Sequence, residues 1–143
     1  MDATALKAMM ISLLTWIHVH EGFPMPSQLP KVEFIPHAEL QKVVCNADCD
    51  ALGFAPTDGT GVIYLDQSLD LDHNTCHRSI LLHELVHYMQ HQTGEFDSVA
   101  PEMRTHWKEM QALKVQRAYL NAHGRELFIG QNNGAMGLAY PYC

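Results

Sequence analysis

Residues 77–92 read HRSILLHELVHYMQHQ and form a strongly apolar segment near the middle of the chain. Its large apolar residues are spaced so that they cover most sides of a helix: Ile80, Leu81, Leu82, Leu85, Val86 and Met89. A helix that is apolar on most sides is buried in a globular protein. We therefore predict that residues 77–92 form the central helix of the fold, with Gly94 as its C-terminal cap.

This helix carries the pattern HExxH at His83, Glu84 and His87. Residues four apart lie one turn above each other, so the two histidines project from one face and can bind the same zinc ion. Glu84 follows at about 100° around the axis, which places its carboxylate beside the metal, where it can accept a proton from water. The pattern predicts one zinc ion per chain and a general base at Glu84. The competing interpretation is a hydrogen-bonded histidine pair without metal.

A catalytic zinc ion usually takes a third protein ligand and leaves a fourth position for water. His91 is excluded because it lies roughly 12 Å along the axis from the first histidine. The next predicted helix offers three candidates on one face: Glu102, His106 and Glu109. We favour Glu109, because Ala112 one turn later lets two helices pack closely. His106 is the alternative ligand, and a solvated surface carboxylate is the competing interpretation of Glu109.

The N-terminal part of the chain predicts two helices and a strand. Apolar residues recur at helical spacing from residue 4 to residue 20, and Gly22 and Pro24 follow them. Residues 31–35 alternate polar and apolar side chains and stop at Pro36, which is typical of a short strand. A brief helix is expected over residues 37–44.

Two β-prone runs, residues 52–55 and 62–65, flank a turn-rich segment and predict a hairpin in a small antiparallel or mixed sheet. A last helix is expected from Pro101 to His123, closed by Gly124. Its predicted buried face comprises Met103, Trp107, Met110, Leu113 and Leu120. Together the elements indicate an α+β fold in one domain, residues 1–143.

Composition excludes several classes of function. The hydrophobic fraction of 47% and the charged fraction of 17% are ordinary for a globular protein. The net charge of −7, without any cluster of Lys or Arg, argues against nucleic acid as a partner. The longest apolar run, residues 8–17, is about half the length that a bilayer requires, so we expect no membrane span.

Four cysteines lack any CxxC pair, which favours two disulfides over a cysteine-based zinc site. The preferred pairs are Cys45–Cys49 and Cys76–Cys143. Disulfides indicate a periplasmic or secreted protein, and we expect that an export signal, if one existed, is missing from this sequence. Four reduced thiols in a cytoplasmic protein are the alternative.

With these residues in place, the sequence resembles the gluzincins, zinc peptidases in which a second helix donates a glutamate, often in an E-x-x-A setting. Residues 109–112 match that setting, and residues 83–90 and 107–119 resemble small bacterial zincin-like domains. The resemblance implies a zincin-like fold and a metallopeptidase acting on peptide or protein substrates. The sequence departs from the gluzincin pattern one turn beyond the glutamate, where larger members of the family carry Asp and this chain has Leu113. The partners that orient the ligands therefore remain open among Gln116, Asp66, Asp70 and Asp72.

Zincins also resemble one another in an edge strand above the metal, a part that we assign to residues 62–65. An oxyanion donor is expected among four residues: His106, Tyr119, Tyr140 and Tyr142. The alternative function is a non-catalytic zinc-binding or protein-interaction module. Glu84 argues against this alternative, because a structural site has no use for a general base.

Overall fold

Within residues 1–46 and 49–123, which the computed structural model describes, the chain forms four helices and three short strands. In chain order these are α1 (Ala3–Glu21), β1 (Lys31–Ile35), α2 (His37–Val44), β2 (Gly53–Phe54), β3 (Val62–Asp66), α3 (Thr75–Thr93) and α4 (Pro101–His123). The predicted α+β class is confirmed, and every predicted helix and strand is present within two residues of its expected bounds.

Helix α3 lies at the centre, as predicted. Asn74 caps its first turn by accepting a hydrogen bond from the backbone N–H of His77, and Gly94 ends it in the left-handed conformation that glycine adopts easily. Residues 79–90 are all buried except His87, which is half-buried. The helix packs against α4, α1 and the sheet. The side chains of residues 79–90 are therefore held firmly by their surroundings.

The three strands form one mixed sheet in the order β1-β3-β2. β1 pairs with β3 in parallel and β2 pairs with β3 antiparallel, with Gly53 opposite Leu65. The prediction that residues 62–65 form an edge strand is wrong. A crossover through α2 returns the chain beside β1, so β3 is central and β2 takes the edge next to α3.

Helix α1 covers one side of the core. The Asp2 side chain accepts a hydrogen bond from the N–H of Ala5, and Gly22 ends the helix in the left-handed conformation. Its buried residues are four of the predicted apolar ones: Met10, Leu13, Leu14 and Ile17. These residues join one hydrophobic cluster with α3 and β3. The predicted helix is confirmed, and each of its boundaries lies within one residue of the expected position.

The predicted buried face of α4 is largely wrong. Met103, Trp107 and Met110 are 42%, 47% and 52% exposed, whereas Leu120 is buried as expected. The residues that pack inward are Ala112, Val115, Gln116, Tyr119 and Leu120. The helix turns towards α3 the face that carries Glu109 and Gln116, and the apolar stripe of Met103, Trp107 and Met110, on nearly the opposite side, is left outside.

The disulfide Cys45–Cys49 is present, as predicted. The predicted Cys76–Cys143 pair involves a residue outside the described ranges and stays a prediction. Among the helices that the structure describes, none combines the length and the apolarity needed to cross a bilayer.

We predict that Leu14→Ala destabilises the fold by about 2–5 kcal/mol, because it removes a fully buried side chain that its neighbours cannot replace. Val19→Ala, on the same helix but 69% exposed, should change the free energy of unfolding by no more than about 0.5 kcal/mol. Urea denaturation of both variants measures the difference. Equal losses would contradict the burial of Leu14 in the core.

Candidate metal centre

Three potential metal ligands meet where α3 packs on α4. The Nε2 atoms of His83 and His87 are 3.2 Å apart, and Glu109 Oε1 lies 2.5 Å from the His87 Nε2 and 3.5 Å from the His83 Nε2. These are the ligand atoms of a group that could hold a metal ion. The structure therefore brings together the two histidines of the motif and the glutamate favoured from the sequence.

Local helix geometry explains this convergence. His83 and His87 are one turn apart on α3, which places their ring centroids 4.8 Å from each other. On α4, Glu109 shares a face with Ala112 and Gln116, which are both buried against α3. The small side chain of Ala112 lets the helices approach closely enough for a glutamate to reach across.

Hydrogen bonds determine which ring nitrogens face the centre. The Nδ1–H of His83 donates to Gln116 Oε1 at 2.9 Å, and the Nδ1–H of His87 donates to Gln90 Oε1 at 2.8 Å. The amide groups are oriented in turn, because Gln116 Nε2 donates to Ser79 Oγ and Gln90 Nε2 donates to the Lys108 carbonyl. Both imidazoles thus present Nε2 to Glu109. Metal-binding histidines commonly have this arrangement, in which the other ring N–H donates a hydrogen bond to a neighbouring protein group.

The donor set fits a metal cation. Two imidazole nitrogens and a carboxylate oxygen are lone-pair donors, and bringing them together is costly unless a positive charge lies among them. A proton can satisfy the His87–Glu109 pair, whereas a metal ion satisfies all three atoms at once. Imidazole and carboxylate ligands are typical of zinc and related divalent metals.

Electrostatics at the centre also favour a cation. Burial opposes ionisation of Glu109, but hydrogen bonds and positive charge from His83 and His87 outweigh it and hold the pKa of the Glu109 carboxyl well below its usual range. Burial would lower the pKa of His87, yet the hydrogen bond to Glu109 and the nearby Glu84 carboxylate raise it. Both shifts have one cause, the mutual stabilisation of positive charge on the histidines and negative charge on the neighbouring carboxylates.

Glu84 occupies a buried position beside the three ligands, with only 5% of its surface exposed. Burial raises the pKa of Glu84, while the two neighbouring histidines act in the opposite direction. The backbone N–H of Ala55, just after β2, donates to the carboxylate. Gly53 leaves the room that this requires, because a Cβ there would lie 2.9 Å from Glu84 Cγ and 3.0 Å from its Oε2.

A cavity of about 900 Å³ opens onto the centre. The three potential ligands and Glu84 all line it, so a molecule in the cavity can reach them. One wall is made by β2 and the residues after it, and the opposite wall by the first half of α4. The volume is in the range of sites that bind small molecules or short peptide segments.

Two other predicted site residues are not brought to the centre. His106 is exposed and its ring packs edge-on against Trp107, because it lies on the outer side of α4. Tyr119 is buried against Trp16, near the far end of α4. Neither lines the cavity. Tyr140 and Tyr142 lie outside the described residues.

Among the open candidates for orienting a ligand, Gln116 alone bonds a potential ligand within the described part of the chain. Asp66 instead bonds His37 and Ser68, and Asp70 bonds His73. Sequence reasoning missed Gln90 and Gly53. Gln90 could have been found, because it is a polar residue three positions after His87 in a helix predicted to be buried. Gly53 could not, because only the fold brings it to Glu84.

We predict that the protein binds about one divalent metal ion per chain and that His83→Ala or His87→Ala abolishes this binding, because water replaces a lost ligand poorly. Elemental analysis after dialysis measures the metal content. Full metal content in both variants would exclude this centre.

We also predict that Gln116→Leu, which removes the acceptor for His83 Nδ1 but keeps similar bulk, weakens metal affinity about 10–100-fold. The matched control is Gln92→Leu, on the exposed side of α3. A competing chelator measures affinity, and thermal unfolding of the metal-free proteins separates lost affinity from lost folding. Equal affinities of the two variants would remove Gln116 from this role.

Comparisons with known proteins give one match. No curated protein and no solved structure is significantly similar to the chain. The profile of a family described as a domain of unknown function, DUF6647, matches residues 2–132. Since this match covers most of the chain, including every residue of the candidate centre, the protein belongs to the DUF6647 family.

Proposed function

We propose that the protein is a zinc-dependent hydrolase, a gluzincin-like metallopeptidase that cleaves peptide or amide bonds. The observation that carries the proposal is the convergence of His83, His87 and Glu109 at one end of a cavity that Glu84 also lines. A purely structural metal site would need the ligands but neither the cavity nor the fourth residue. The proposal is tested by separating the role of Glu84 from that of Glu109.

The ligand set supports zinc and a catalytic role for it. Two histidines and a glutamate form a three-residue set that leaves a further coordination position, as catalytic zinc sites do and closed structural sites do not. When bound, zinc supplies Lewis acidity that polarises a carbonyl group and makes water more acidic. His83, His87 and Glu109 hold the ion, and Gln116 and Gln90 keep the imidazoles in the required tautomer.

Glu84 supplies the acid–base chemistry. Its carboxylate lies in the cavity wall outside the ligand trio, where it can accept a proton from the attacking water and deliver it to the leaving amine. The hydrogen bond from the Ala55 N–H and the contact with Gly53 fix its direction. A side chain held in this way loses little freedom when the substrate binds.

The edge strand β2 supports an extended peptide as the substrate. Gly53, Phe54 and Ala55 line the cavity, and within the described residues β2 has a strand partner on one side only, β3. A peptide backbone can therefore pair with the other side of β2 as an added strand. This arrangement, with a second helix that donates a glutamate, agrees with the resemblance to gluzincins.

We also propose that the protein works in the periplasm or outside the cell. The Cys45–Cys49 disulfide supports this location, because disulfides persist in oxidising compartments and are rare in the cytoplasm.

We predict that Glu84→Gln keeps about one zinc ion per chain and loses hydrolysis of a generic peptide library by 100-fold or more, because the amide cannot accept the proton. Glu109→Ala should instead lose zinc, and activity with it. Elemental analysis and a peptide-cleavage assay on both variants measure the two effects. Undiminished hydrolysis by Glu84→Gln would end the enzyme proposal and leave the non-catalytic zinc module.

We further predict that Gly53→Ala lowers hydrolysis about tenfold or more without loss of zinc, because the new methyl group displaces the Glu84 side chain. In the Glu84→Gln background the same substitution should have no further effect on hydrolysis, since the two residues act through one step. Additive losses in the double variant would indicate that Gly53 matters only for folding.

A further inference from the structure

Two basic side chains of α4 line the cavity beside the metal centre. Arg104 and Lys108 lie one turn apart, and Lys108 directly precedes Glu109. Both are half-buried. The chain as a whole is acidic, with a net charge of −7 and only nine Lys and Arg residues. The α4 wall of the cavity therefore differs from the whole chain in the sign of its charge.

Arg104 is held in place by three hydrogen bonds to backbone carbonyls. Its Nε donates to the Val99 carbonyl, and its Nη2 donates to the carbonyls of Val99 and Asp97. These bonds anchor the guanidinium to the segment before α4 but leave its charge unbalanced by any acidic side chain in residues 1–46 and 49–123. An anchored guanidinium is well suited to bind a carboxylate with little loss of side-chain entropy.

Lys108 is likewise without an ion pair in the part of the chain that the structure describes. Its backbone is fixed, because its carbonyl accepts the hydrogen bond from Gln90 Nε2 that also orients His87. With a divalent ion bound, the charges of Glu84 and Glu109 are balanced. Arg104 and Lys108 then leave this wall of the cavity positive.

We propose that Arg104 and Lys108 bind a carboxylate group of the substrate, so that the protein selects acidic peptides. The carboxylate comes either from an acidic side chain or from a free C-terminus, which share the same chemistry. This inference rests on the proposed function, because it takes the bound peptide to be the substrate. The binding preference itself does not require catalysis. Lys108 and Arg104 act as specificity-determining residues on the α4 wall, opposite the edge strand β2.

The test uses three peptides of one sequence: a neutral form with internal Gln and an amidated C-terminus, a form with Glu in place of Gln, and a form with a free C-terminal acid. Fluorescence anisotropy measures their affinities for the zinc-loaded Glu84→Gln protein, and kcat/KM is measured with the parent protein. We expect at least one carboxylate form to bind about tenfold tighter than the neutral form. Which form gains affinity identifies the source of the carboxylate.

Lys108→Gln should remove most of this preference, and Lys108→Arg should retain it. The matched control is Lys114→Gln, which makes the same charge change on the exposed side of α4, away from the cavity. Zinc content is measured in each variant, because Lys108 adjoins Glu109. Equal binding of all three peptides, absence of binding by both carboxylate forms, or an undiminished preference in Lys108→Gln overturns the inference.

The two proposals fail separately. Cleavage of all three peptides at equal kcat/KM would leave the hydrolase standing and overturn the carboxylate site. A carboxylate preference in binding that Lys108→Gln removes, with no cleavage of any peptide by the parent protein, would support the carboxylate site and overturn the hydrolase.

Discussion

His83 lies inside an apolar core, and the hydrogen bond that its Nδ1 donates to Gln116 ties α3 to α4. Leaving a buried imidazole or amide unpaired costs about 1–3 kcal/mol, so each buried polar side chain on α3 requires a hydrogen-bond partner. Gln116 continues the connection to Ser79, whose hydroxyl donates to the Cys76 carbonyl. The relative position of the two long helices is thus set by polar groups within an apolar interface.

The same polar contacts organise the chemistry of the site. Once α4 is held by Gln116, Glu109 lies two turns earlier on the same face and meets the Nε2 atoms of both histidines. On the other side of α3, Gly53 of β2 and the N–H of Ala55, just after β2, together position Glu84. Helix α4 therefore positions the potential ligands, and β2 with the residue after it positions the potential base. The cavity lies between α4 and β2.

The sequence predicted the parts of this arrangement that depend on local spacing. The bounds of α1 and α3, and the convergence of residues four apart on one helix, follow from periodicity and turn residues alone. The sequence did not predict which face of α4 points inward. The apolar periodicity of Met103, Trp107 and Met110 indicated one buried face, whereas the face that packs on α3 carries polar residues. The central position of β3 in the sheet was also missed. The order of the strands depends on the crossover through α2, and the sequence of a single strand does not determine it.

The outward position of that apolar stripe is itself informative about the site. Burying three large apolar side chains would ordinarily stabilise a helix in its core by several kcal/mol in total, at about 1.5–3 kcal/mol for each fully buried side chain. The chain instead buries Gln116 and turns Glu109, whose side chain is 48% exposed, towards the two histidines, an arrangement that local hydrophobicity does not favour. Departures of this kind concentrate at functional sites, where polar groups are retained for chemistry at the expense of stability. A cation bound among the three ligands would restore part of that loss, because it binds the folded arrangement and has no comparable site in the unfolded chain.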